Sequence, residues 1–193
     1  AGPSEREPHL VKILQVVHFF PPHSIGGSEL YTRDLACALS RDHDVHLFFT
    51  IPEGNNDERT LTGQIDGIPY CALQKNYATY DRPFHERDRR VDREFDRVLE
   101  RFRPDMVHFQ HLMNLSLRLP GIAKRRGIAS CYTLHDFWLV CPSAFLLRHD
   151  LSLCADSSAP NCLACMEPQI GYYGIRPGAR GFAGRARQGV NRH

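Results

Sequence analysis

The chain has 193 residues, with 24 lysines and arginines against 22 aspartates and glutamates, a formal net charge of +2. Hydrophobic residues make up 42% and charged residues 24%, an ordinary globular balance that excludes wholesale disorder. No global basic field of the kind nucleic acid selects is present, and the longest apolar run, Ile13 to Phe20, falls far short of the ~20 residues of a membrane span. Glu5, Glu7 and Pro8 precede that run where a secretory signal would carry basic residues, so the expectation is a soluble, cytoplasmic chain. Residues 1–9 read as a tag scar or flexible lead.

Residues 11–18 form a nearly continuous aliphatic run, as expected of a parallel strand buried on both faces, and Pro21-Pro22 stop it. Gly26-Gly27 opens a loop, Ser28 is the expected N-cap, and 29–40 reads as a helix with Tyr31, Leu35, Ala38 and Leu39 on its buried face. Residues 45–50 form a second apolar strand, 53–67 read as loop, and 68–73 as a short strand. Residues 84–103 place Val91, Phe95, Val98 and Phe102 at helical spacing among mixed charges, which reads as a solvated helix rather than a nucleic-acid face.

Residues 105–110 form another strand, 115–126 a helix that Pro120 bends or breaks and Gly127 ends, and 128–134 a further strand. The alternation then stops. A Cys-bearing insertion is expected over 141–170, and 171–193, with six glycines, five arginines and no acid, reads as a mobile tail on a domain truncated at its end. Strand–helix alternation over 10–140 predicts an α/β fold, a doubly wound and mostly parallel sheet of Rossmann type.

In such a sheet, ligands bind outside the C-terminal ends of the strands. Those ends carry His18 with the loop to Gly26-Gly27, then Thr50, then Gln110-His111, then His135-Asp136. A glycine pair before a helix lets backbone N–H groups approach a phosphate, although glycine pairs are mostly turns. The dinucleotide fingerprint is absent, because it needs three glycines and an acid near the end of the second strand, where Phe48-Phe49-Thr50 offers none. His111 and His135, closing neighbouring strands, are candidates for binding, and His18 is a weaker one. Period-2 alternation puts His108 on the face opposite His111, under a helix. Glu29 complements the dipole of its helix.

Cys141, Cys154, Cys162 and Cys165 lie within 25 positions, and Cys162-Leu163-Ala164-Cys165 has the spacing of two thiolates on one tetrahedral metal. The wide gap from Cys141 to Cys154 leaves structural zinc, free thiols and disulfides all open. Cys37, Cys71 and Cys131 read as ordinary packing.

The run Val11-Lys-Ile-Leu-Gln-Val-Val-His-Phe-Phe-Pro-Pro22 with Gly26-Gly-Ser-Glu29 resembles the N-terminal signature of family 4 glycosyltransferases of the GT-B fold. Asp105-Met-Val-His-Phe-Gln-His111 and Thr133-Leu-His-Asp-Phe-Trp138 resemble two further blocks in the same order, and the cysteines resemble a subgroup with such a cluster. The resemblance covers about residues 10–166 and implies two Rossmann-like domains, of which this chain is the N-terminal, acceptor-side one. It implies retaining transfer of a sugar from a nucleotide-sugar donor to a glycan, lipid-linked or small-molecule acceptor, without a cofactor for catalysis. Gly26 and Gly27 then approach the donor diphosphate and His135, the catalytic residue, lies near the transferred sugar. His111, Asp136 and His18 line the substrate side.

The resemblance also implies a missing C-terminal donor domain as partner, without which the chain is expected to be inactive. The competing expectation is a non-catalytic glycan-, lipid- or protein-binding module on the same fold. Phe137-Trp138 and the Arg-rich tail would then serve peripheral contact with the inner membrane face.

Overall fold

A computed structural model of the chain describes residues 10–53, 59–76, 87–141, 143–148 and 150–166. The expected lead, the Gly/Arg-rich tail and residues 167–170 of the expected insertion lie outside the described residues. In chain order the elements are β1 (Lys12–Val16), α1 (Gly27–Leu39), β2 (Asp44–Glu53), β3 (Thr60–Ile65), β4 (Ile68–Asn76), α2 (Arg89–Phe102), β5 (Met106–Phe109), α3 (Leu119–Arg125), β6 (Ala129–Tyr132) and α4 (Ala159–Met166). The chain divides into two compact units between His135 and Asp136. No helix among the described residues is long and apolar enough to cross a membrane.

The first unit is a six-stranded sheet in the order β3-β4-β2-β1-β5-β6. All neighbours pair in parallel except β3, which runs antiparallel to β4 at the edge. The chain builds outward from β1 to β2 and β4, then crosses to place β5 and β6 on the other side. That reversal sits between β1 and β5, and a doubly wound sheet opens its crevice at the carboxyl ends of those two strands.

The aliphatic runs form strands because both sheet faces are covered. On one face Val17, Val45, Leu47, Phe49, Ile51 and Ala72 pack with Ala36 of α1. On the other, Phe95 of α2 meets Phe48 at 5.5 Å and Phe109 at 6.1 Å between ring centroids. Val91, Phe95, Leu99 and Phe102 form the buried stripe of α2, so Leu99 takes the place expected for Val98. Asp88 caps this helix by accepting from the N–H groups of Arg90 (2.9 Å) and Val91 (3.0 Å).

Four local expectations are corrected. Segment 53–67 is not all loop: β3 forms a hairpin with β4 through Asp66-Gly67, whose φ values of 53° and 78° are those of a tight turn. The cap of α1 is Gly26 in an extended conformation, and the Ser28 hydroxyl instead donates to Glu29 Oε2 at 2.8 Å. The buried positions of α1 are Glu29, Thr32 and Ala36, while Tyr31 is exposed. Pro120 does not bend a long helix but starts a short one, α3, where its missing N–H costs no hydrogen bond.

Candidate functional site

Two groups of polar side chains gather where β1, β5 and β6 end. The first surrounds the start of α1. His18, two residues past β1, is buried, and its ring lies 4.5 Å from that of His111 between centroids. Its Nε2 is 3.6 Å from Glu29 Oε1. The Glu29 carboxylate also accepts from the Ser24 hydroxyl at 3.0 Å and the Ser28 hydroxyl at 2.8 Å. Burial alone would raise this carboxyl. The Ser28 hydroxyl, the His18 charge, its own backbone N–H and the Ser24 hydroxyl together hold it below the ordinary range. Thr50 is no crevice ligand: it is fully buried, and its hydroxyl donates to the His18 carbonyl, tying β2 to the end of β1.

The two glycines are not equivalent. A Cβ on Gly26 would stand 2.6 Å from Glu29 Oε2, so the position is kept bare by the chain's own carboxylate. A Cβ on Gly27 would meet nothing within 4 Å. Gly27 therefore borders open space at the first turn of a helix, with no internal contact that demands glycine.

His111 accepts a hydrogen bond at Nδ1 from the Met113 N–H (3.1 Å), which puts the proton of the neutral ring on Nε2. The second group centres on Gln110, fully buried at the end of β5. Its Nε2 donates to Gln15 Oε1 at 2.8 Å, and its Oε1 lies 2.8 Å from His135 Nε2. A carbonyl oxygen can only accept, so with this amide orientation His135 carries its proton on Nε2. Tyr31 meets the His135 ring edge-on at 5.0 Å.

His108, expected beneath a helix, is half-buried and joins this group instead. It lies 2.7 Å from Thr133 Oγ1 and 3.2 Å from Gln110 Nε2. Burial first, and the His135 charge second, push its pKa down. Sequence reading passed over Gln15 and undervalued His108; their signal is a polar residue inside an otherwise apolar parallel strand, where burial demands a partner.

The second unit holds the other candidates. Asp136 Oδ1 accepts from the Trp138 N–H at 2.8 Å, closing a local turn. Phe137 is exposed, whereas Trp138 is buried and cannot offer the surface contact expected of it. All seven cysteines are free thiols. Burial would raise the Cys141 thiol, but the Ser143 hydroxyl, 3.1 Å away, and the N–H groups of Leu146, Ser143 and Phe145 draw it down. Burial, followed by the charges of Cys141, Cys154, Cys165 and Asp156, pushes Cys162 up. Among the described residues no three His, Cys, Asp or Glu side chains stand close enough together to hold a metal ion.

Residues 25–156 match the sequence model of Glycosyltransferase Family 4. No curated protein matches the chain. Among solved structures, the chain is similar to the catalytic domain of starch synthase IV from Arabidopsis thaliana bound to ADP and acarbose, at 17% identity and a TM-score of 0.45, covering 67% of this chain and 35% of that one. It is similar to sucrose-phosphate synthase from Thermosynechococcus elongatus at 14% identity and 0.45, covering 67% and 34%. A third similarity is to the E. coli trehalose-6-phosphate protein bound with UDP-2-fluoro glucose, at 17% and 0.44, covering 65% and 33%. The chain thus spans about a third of the length of these structures.

Proposed function

The chain belongs to glycosyltransferase family 4, and from that membership we propose that it forms the acceptor-side wall of an enzyme that moves a sugar from a nucleotide-sugar donor to a hydroxyl acceptor with retention of configuration. The observation that carries the reading is the convergence of His18, His111 and the glycine-flanked start of α1 at the β1–β5 switch point.

Sugar transfer requires charge to develop on a departing diphosphate while water is kept from the anomeric carbon. The first-turn N–H groups of α1 supply partial positive charge, and Gly27 leaves room for an oxygen to approach them. Glu29 lies behind the same turn, so a diphosphate there needs compensating positive charge, which protonated His18 and a donor domain can provide. His135, with its proton on Nε2 and its ring set by Gln110 and Tyr31, is the residue we assign to the transferred sugar. His111 takes the acceptor side.

The family resemblance implies a second α/β domain that closes the site, so residues 1–193 alone are expected to be silent. The test is an assay of the native polypeptide from its source cell, beside residues 1–193, against a panel of nucleotide sugars. Release of nucleoside diphosphate and a product of unchanged anomeric configuration from the native polypeptide supports the reading. Inversion, or no transfer by the native polypeptide, overturns it. Turnover by residues 1–193 overturns the need for a second domain.

A further inference from the structure

The exposed apolar side chains of the first unit are not scattered. Among its described residues the large ones are Leu10, Ile25, Leu30, Tyr31, Leu117 and Leu134. Apart from Leu10, the first described residue, all stand on the three segments that leave β1, β5 and β6. Those strands run parallel, so the three segments leave from one edge of the sheet, where the crevice opens. Single exposed apolar residues are ordinary, but a set confined to one edge marks a surface that meets an apolar group. Tyr31 ties two of these segments together, its ring edge-on to His135 at 5.0 Å. Tyr31 is 46% exposed and Leu134 65%, so the fold gains little from burying either.

The buried groups at the same strand ends are polar: His18, His111 and Glu29. The Glu29 carboxylate is bound by the Ser24 and Ser28 hydroxyls and lies 3.6 Å from His18 Nε2, contacts that favour its charged form. Among the described residues no lysine or arginine pairs with it. A phosphate brought beside that carboxylate meets like charge in a partly desolvated place, with no fixed cation of this chain to offset it. The donor diphosphate draws compensation from the second domain; an acceptor held by this wall does not. A neutral hydroxyl carries no such penalty, because it hydrogen-bonds to imidazole and carboxylate alike.

From the apolar edge and the carboxylate together we infer that the acceptor is an uncharged hydroxyl compound with a hydrocarbon or aromatic portion. Its hydroxyl enters toward His111 and His18, and its apolar portion lies on Tyr31 and Leu134. A phosphorylated sugar does not fit. This acceptor follows only if the wall is the acceptor side; its binding is read on the chain itself and sugar transfer on the native polypeptide, so the two can fail separately.

The test follows the NMR signals of Tyr31 and His135 in the whole 193-residue chain. The probes are n-octyl β-D-glucoside below its micelle point, methyl β-D-glucoside and glucose 6-phosphate. The octyl glucoside should shift both signals and bind at least about tenfold more tightly than the methyl glucoside, the ratio that burial of two methylenes sets. Glucose 6-phosphate should shift neither. A Tyr31→Ser/Leu134→Ser variant, altered at two exposed positions, should lose the octyl preference. If that variant does not fold, a butyl, hexyl and octyl series on the unaltered chain replaces it, and affinity should rise with each pair of methylenes. Equal binding of octyl and methyl glucosides, binding of glucose 6-phosphate at these signals, or an octyl preference that the variant keeps overturns the inference. So does the absence of any shift with octyl glucoside, which leaves the apolar edge to the closing domain.

Discussion

The carboxylate of Glu29 lies 3.6 Å from Nε2 of His18 and folds back over the first turn of its own helix, against the position a Cβ would take on Gly26. That relation separates the two glycines. Gly26→Ala must displace Glu29 from its hydroxyl partners and is expected to cost about 1–3 kcal/mol, as overpacking does. Gly27→Ala meets open space and should leave stability unchanged or raise it by about 0.5 kcal/mol, since alanine suits a helix better. Urea unfolding of both variants checks this. In the active polypeptide the order should reverse: Gly27→Ala loses donor affinity because its methyl enters the space we assign to the diphosphate. Equal stability losses at the two positions would refute the distinction.

Lys75, buried at the end of β4, sets the acid limit of the fold. Its Nζ donates to Asp88 Oδ2 and to the Asn114 carbonyl, both at 2.8 Å, joining β4, the cap of α2 and the loop after β5. Burial raises the Asp88 carboxyl, but Lys75 and the N–H groups of Val91 and Arg90 outweigh it and hold it below its ordinary value. A carboxyl depressed in the folded state contributes stability above its unfolded value of ~4, and that stability is lost as pH falls through the folded value. Glu29 acts in the same sense.

The melting temperature should therefore hold from pH 7 to about 5 and drop below about 4. Lys75→Met, which removes the ion pair of Asp88 and leaves its two N–H donors in place, should cost about 2–4 kcal/mol at pH 7, less than a fully buried pair because Asp88 touches solvent, and should flatten the acid limb. An unchanged pH profile in that variant would show that the pair does not set the limit.

How much of this was legible in the sequence depended on whether a signal was local or needed a partner. The strands β1, β2 and β5 were plain because a strand buried on both faces is aliphatic throughout. β3 was missed because its residues are mostly exposed, leaving no alternation to read. Its real marker was the Asp66-Gly67 dipeptide, the strongest short-range hairpin signal. The clustering of His18 and His111 followed from the strand-end rule, but Gln15 and His108 acquired meaning only through Gln110, which reaches them across the sheet. Glu29 stands in the first turn of its helix, as its place in the sequence implies, but its hold on Gly26 is tertiary and leaves no mark in spacing.

The hairpin gives a test of its own. Gly67 sits at φ of 78° with open space around its Cα, so Gly67→Ala introduces backbone strain without a clash. The expected loss is about 1–2 kcal/mol in urea unfolding. A neutral result would mean that the Asp66-Gly67 turn relaxes without disturbing the pairing of β3 with β4.

The last prediction concerns the proton on His135. Gln110 reaches Gln15, His108 and His135 at once, and its carbonyl oxygen is what assigns the His135 proton to Nε2. Gln110→Leu removes these bonds and leaves buried polar groups unmatched, which should cost about 1–3 kcal/mol. Gln110→Glu keeps the shape and puts a carboxylate 2.8 Å from the ring, favouring imidazolium. The His135 titration, read by NMR, should then rise by about one unit or more. In the active polypeptide the acid limb of the pH profile should move up by the same amount if the neutral ring serves sugar transfer. A His135 titration that does not move in Gln110→Glu would mean that Gln110 does not set the ring, and the assignment of its Nε2 proton would fall with it.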